Sequence, residues 1–146
     1  MGATPRLTKL NQGMQFVSPM ERRVLGIPSR QWALVREIKM GKGEQNWLFA
    51  RTVVPLRTLS GVARRISMLN DAPIGKILFG RQGASRKSMH VELTQDYPES
   101  VAQLDIPTDQ LLWQRRSIFE FDSGPLMVRE VFLPDCPIYE PYDSES

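Results

Sequence analysis

The sequence predicts an α+β fold, a single mainly antiparallel β-sheet with helices laid over it. Three observations predict it. Two hairpins are readable: residues 32–40 with 46–54 around Gly41-Lys42-Gly43, and 112–121 with 125–133 around Asp122-Ser123-Gly124. Helix signals fall between these hairpins rather than alternating with single strands, which argues against a parallel sheet. A chain of 146 residues, 41% apolar and 24% charged, suits one ordinary core.

Residues 7–17 (LTKLNQGMQFV) read as a first strand. Ser18-Pro19-Met20-Glu21 then offers a capping box with proline at the first helical position. The short helix it starts should end near Gly26, before Pro28. Residues 32–40 (WALVREIKM) and 46–54 (NWLFARTVV) follow as paired strands, the second ended by Pro55. Ser60 stands where it can cap a helix over about 61–69, with Val62, Ile66 and Leu69 on one face. A further helical turn is expected at 73–79 (PIGKILF), again opened by proline. Residues 87–94 suit a strand, and 96–110, with Pro98 and Pro107 around SVAQL, a loop holding a short helix. The second hairpin closes the fold. One domain over 1–146 accounts for the chain, with 1–6 and the acidic 140–146 (EPYDSES) as loose ends.

Composition excludes several function classes. No apolar run approaches membrane-helix length, and MGATPRLTKL lacks the apolar stretch of a signal peptide. Arg6 stands where a myristoylation pattern wants Ser or Thr. The single cysteine, Cys136, makes no internal disulfide and offers no metal-ligand spacing, which points to a cytoplasmic protein. The net charge is +3, but the basic pairs at 22–23, 64–65, 86–87 and 115–116 are scattered, unlike a nucleic-acid-binding arm. His90, the only histidine, alternates with Glu92 and reads as a polar-face residue rather than a catalytic one. Without a histidine pair or a cysteine cluster, no metal site is expected. Gly80 and Gly83 match no phosphate-binding loop, and Ser117 and Ser123 lack the strand–turn–helix setting of a hydrolase serine.

Strand parity singles out three charges. Successive strand side chains point to opposite faces. Arg36 therefore shares a face with Trp32, Leu34, Ile38 and Met40, and Glu130 with Leu126, Val128 and Phe132. Each interrupts an apolar register. A buried charge needs a partner, so these two either form structural ion pairs or face a cavity that a polar ligand completes. Arg51 lies with Trp47, Phe49 and Val53, but Leu48, Ala50, Thr52 and Val54 make the other face nearly as apolar. That strand is central, and Arg51 is either a second cation of the same site or the structural partner of an acid.

Several stretches together resemble the bacterial chorismate pyruvate-lyase family: WALVREI at 32–38, WLFARTVVP at 47–55, TLSG at 58–61, APIGKILF at 72–79, LLWQRRS at 111–117 and GPLMVREVFLP at 124–134. The resemblance runs in order from about Leu7 to Tyr139. It implies an antiparallel sheet enclosing its ligand, and conversion of chorismate to 4-hydroxybenzoate and pyruvate for ubiquinone-type quinone synthesis. It also implies no cofactor, and small-molecule partners only, with no nucleic acid and a monomeric state. By the family's pattern Arg36 binds the ring carboxylate and Glu130 the 4-hydroxyl end. Ile74 lines the site, and Arg51 sits near it as a candidate for the enolpyruvyl carboxylate. The family's opening helical segment, whose end gives a backbone amide to the ligand carboxylate, has no counterpart here, and residues 94–110 form a longer connection. A truncated chain or a more open pocket is the corresponding expectation. Two other readings stay open: a small-acid sensor of the same architecture, as in GntR-type regulators, and an inactive relative that binds product.

Overall fold

The computed structural model describes residues 5–80, 83–104, 106 and 109–139. Six strands form one sheet: β1 (Arg6–Gln15), β2 (Ala33–Lys42), β3 (Gln45–Pro55), β4 (Ser85–Thr94), β5 (Leu112–Phe121) and β6 (Gly124–Phe132). Their order is β1-β2-β3-β6-β5-β4, and every neighbouring pair is antiparallel. The sheet is thus two three-stranded meanders joined by the pairing of β3 with β6. Both expected hairpins form. The turn of the first lies at Gly43-Glu44, one step beyond the expected centre, because Lys42 pairs with Gln45.

Helix α1 (Pro19–Leu25) starts as its sequence dictates. The Ser18 hydroxyl accepts from the Glu21 amide, and Glu21 accepts in return from the Ser18 amide. Gly26 ends the helix in the left-handed conformation, φ +66°. The segment 61–69 departs from expectation. It is a 3-10 helix, Gly61–Met68, and Ser60 makes no capping hydrogen bond. Gly61 takes φ +58°, which turns the chain away from an α-helical start. The turn at 73–79 contracts to α2 (Gly75–Leu78), and the 94–112 connection carries a 3-10 helix at Glu99–Leu104. Arg6, expected outside the first strand, already belongs to β1. Residues 1–4, Pro107 and the tail 140–146 lie outside the described residues.

Both faces of the sheet's central strands are covered, which is why β2, β3 and β6 are apolar on both sides, while edge strand β4 stays exposed. On the front, Gly61–Met68 and α2 pack Ala63, Ile66, Ile77 and Leu78 against Leu34, Val54, Phe119, Leu126 and Val128. On the back, α1 brings Leu25 and Ile27 onto Ala33, Val35, Val53 and Met127. Beside it, Val101 joins Phe49, Leu112, Val131 and Leu133. Among the described residues no helix is long and apolar enough to cross a membrane.

Candidate active site

The front cover leaves a hollow of about 220 Å³ between α2 and the sheet. It exceeds the ~150 Å³ that holds a benzene, so one substituted six-membered ring fits. Arg36, Glu130 and Ile74 all line it.

Parity and register place the two charges. Arg36 stands opposite Thr52, and Glu130 opposite Ala50, two residues earlier in β3. They are two strands and two residues apart, roughly 12 Å between Cα atoms by ordinary sheet spacings. Side chains leaning inward across that gap can hold the two ends of a para-substituted ring. Ile74, at the start of α2, forms part of the roof.

Arg36 is 2% exposed. Its Nη2 donates to the carbonyls of Asn70 (3.1 Å) and Ala72 (2.7 Å), which fixes the guanidinium plane, and its buried Nε has no partner. No carboxylate lies within ion-pair distance among the described residues. Burial lowers its pKa, opposed by the charge of Asp71. A buried cation without a counter-charge costs several kcal/mol, and an anion in the hollow would offset that cost.

Glu130 is differently placed. Arg115, directly across the β5–β6 pair, donates to both its oxygens, at 2.7 Å from Nε and 3.0 Å from Nη2. The bond to Glu130 is the main reason the Arg115 pKa is raised. The pair orients the carboxylate at the rim of the hollow. Sequence reading missed Arg115, although the same parity test on 112–121 puts it on one face with Trp113, Ser117, Phe119 and Phe121. It also missed Ser117, whose buried hydroxyl has no partner, and Thr52; both line the hollow.

Arg51 is the correction. It does not line the hollow. Its face of β3 is the back one, where it donates to Glu21 (2.8 and 3.0 Å) and Glu37 (3.0 Å). Arg129 adds a 3.1 Å bond to Glu21, and Ser100 caps Glu37 at 2.8 Å. Of its two expected roles, Arg51 takes the structural one, because a strand covered on both faces can bury a charge on either. Glu37, next to Arg36 on β2 but on the opposite face, is 2% exposed beneath this cover. His90 is exposed on edge strand β4, 3.7 Å from Glu92. Among the described residues, no three His, Cys, Asp or Glu side chains are grouped to hold a metal ion.

Residues 4–143 match the family model described as chorismate lyase. The chain belongs to the chorismate lyase family. Among its relatives, the chorismate pyruvate-lyase of Yersinia enterocolitica is 37% identical over 119 residues, covering 82% of this chain and 61% of that one. The chorismate pyruvate-lyase of Escherichia coli is 34% identical over 140 residues, covering 94% and 74%. Among solved structures, the PhnF C-terminal domain aligns with a TM-score of 0.73 at 14% identity, over 92% of this chain and 86% of that one. The C-terminal domain of the histidine utilization repressor from Pseudomonas syringae aligns at 0.70 and 11%, over 97% and 100%. These likenesses confirm the α+β fold, one antiparallel sheet shared by the lyase family and regulator domains.

Proposed function

We propose that the front hollow is the active site of a lyase that converts chorismate to 4-hydroxybenzoate and pyruvate, with Arg36 holding the ring carboxylate, Glu130 the 4-hydroxyl and Ile74 the ring face. The observation that carries this reading is Arg36: a guanidinium almost wholly buried, with no carboxylate partner among the described residues, facing a ring-sized hollow. Family membership supplies the reaction. In it the hydrogen on C4 leaves as a proton and its electron pair completes the aromatic ring. The C3–O bond breaks in the same balance, and the departing enolpyruvate gains a proton at its methylene carbon to become pyruvate. Aromatisation drives the step, so the protein's task is positioning and electrostatics. Arg36 anchors C1, and the Arg115-held carboxylate of Glu130 accepts from the 4-hydroxyl, which sets C3 and C4 in one orientation.

The same reading makes this a cytoplasmic monomer that acts on a small molecule and not on nucleic acid, in keeping with one cysteine and dispersed basic pairs. The test is direct. Purified protein incubated with chorismate should release 4-hydroxybenzoate and pyruvate in equal amounts. Tight 4-hydroxybenzoate binding with no chorismate consumption would instead identify a sensor or an inactive relative.

A further inference from the structure

We infer that the β4–β5 flank of the hollow, through Arg86 and Ser117, is the subsite that receives the enolpyruvyl carboxylate. This inference rests on the reading just given. With C1 at Arg36 on β2 and C4 at Glu130 on β6, the substituent on C3 must project to one side of that axis. One side is formed by Ile38, Met40, Leu48 and Ala50, all apolar. A carboxylate placed there would be desolvated without a partner, at a cost of several kcal/mol. The other side carries Ser117, Phe119 and Arg86.

Two features of that side offer polar groups to a ligand, Ser117 buried and Arg86 at the exposed mouth. Ser117 is 1% exposed, and its hydroxyl has no hydrogen-bond partner. Buried hydroxyls are nearly always paired, so one that lines a hollow without an internal partner is free to donate to a group that enters it. Arg86 stands across from Phe119 in the β4–β5 pair, with its guanidinium over the ring at 5.1 Å from the centroid. It forms no ion pair among the described residues. The register slips between Arg86 and Ser88, so Lys87 is the extra residue of a bulge, a device that re-aims neighbouring side chains.

Charge balance agrees. Arg36, Arg86 and Arg115 line the hollow with Glu130 as the one acid among them. Arg115 is neutralised by Glu130, which leaves two cations, Arg36 and Arg86, for a substrate with two carboxylates. The product 4-hydroxybenzoate has one. Arg51, the cation the sequence suggested for this task, is behind the sheet and cannot serve.

The experiment compares substrate with product. In Arg86→Gln, kcat/KM for chorismate should fall about ten- to a hundredfold, as expected for loss of a charge-assisted hydrogen bond, while 4-hydroxybenzoate affinity stays within about twofold. Ser117→Ala should show the same selectivity with a smaller loss, and Arg86→Lys should recover part of the activity. Unchanged kcat/KM in both Arg86→Gln and Ser117→Ala would overturn the subsite, as would an equal loss of substrate turnover and product affinity. A wild-type protein that leaves chorismate intact would overturn the lyase reading itself, and the subsite with it.

Discussion

Arg36 concentrates the energetics of the proposed site in one side chain. Its Nη2 is satisfied by two carbonyls of the 70–72 loop, so the guanidinium is already oriented before a ligand arrives, and little rotamer entropy remains to be lost. Arg36→Ala should therefore weaken 4-hydroxybenzoate binding about a hundredfold, from the loss of a buried charge-assisted contact. Arg23→Ala, at an exposed position of α1, should leave it unchanged. Calorimetric titration of both variants decides this, and similar small effects would remove Arg36 from the site. Glu130→Gln keeps the shape but gives up the charge that Arg115 holds. It should lower kcat at least about tenfold while far-ultraviolet circular dichroism stays unchanged. Chorismate consumption at the wild-type rate by folded Glu130→Gln would reject a role for that carboxylate. Parity exposed Arg36 and Glu130 because each is a lone charge in an otherwise apolar register. It passed over Arg115 and Ser117 because their strand mixes polar and apolar residues on both faces, so neither stands out.

At the scale of elements, the back face shows why Arg51 was ambiguous. One row of residues runs across all six strands: Asn11, Glu37, Arg51, Arg129, Arg116 and His90, each level with the next. Adjacent arginines directly opposite one another repel. Glu21 from α1 drops between Arg51 and Arg129 and bonds to both. The capping-box glutamate thus also locks the helix onto the sheet, a second role that no local pattern could reveal. Burial by itself raises the Glu21 pKa, but the bonds and charges of Arg51 and Arg129 and the Ser18 amide hold it at about 2, below the ordinary 4.5. A depressed carboxyl pKa contributes stability that is complete above the unfolded value and lost as pH falls from there toward 2. Glu21→Gln should lower stability by about 3–5 kcal/mol at neutral pH, since it leaves the largely buried Arg129 without an acid and Arg51 with Glu37 alone. Between pH 4.5 and 3, wild type should lose stability more steeply than the variant in denaturant melts. Parallel slopes would show that Glu21 is not the group responsible. The hairpin at the far end of the sheet was more legible. Asp122-Ser123-Gly124 marks its turn in sequence, and Gly124 adopts φ +144° where a Cβ would meet the Thr58 hydroxyl at 2.6 Å.

For the molecule as a whole, the decisive feature is that the proposed site spans the seam between the two halves of the sheet. β1, β2 and β3 form one meander, β4, β5 and β6 the other, and the β3–β6 ladder joins them. Arg36 comes from the first meander; Glu130, Arg115, Ser117 and Arg86 come from the second; Ile74 belongs to the cover between them. In the proposed pose a ligand held at both ends would tie the two halves and the roof together. Such a ligand stabilises the folded state by RT ln(1 + [L]/Kd), about 2.7 kcal/mol at a hundred times Kd. For a chain of this length that corresponds to a rise of roughly 5–10 °C in Tm. 4-Hydroxybenzoate should produce that rise in the wild-type protein. It should produce almost none in Arg36→Ala at the same concentration, because the anchor on the first meander is gone. Benzoate, which keeps the carboxylate but lacks the 4-hydroxyl, should give a smaller shift, because it leaves Glu130 on the second meander unengaged. Equal shifts for benzoate and 4-hydroxybenzoate would mean that the ligand is held from one side of the seam only, and the two-ended clamp would then be wrong.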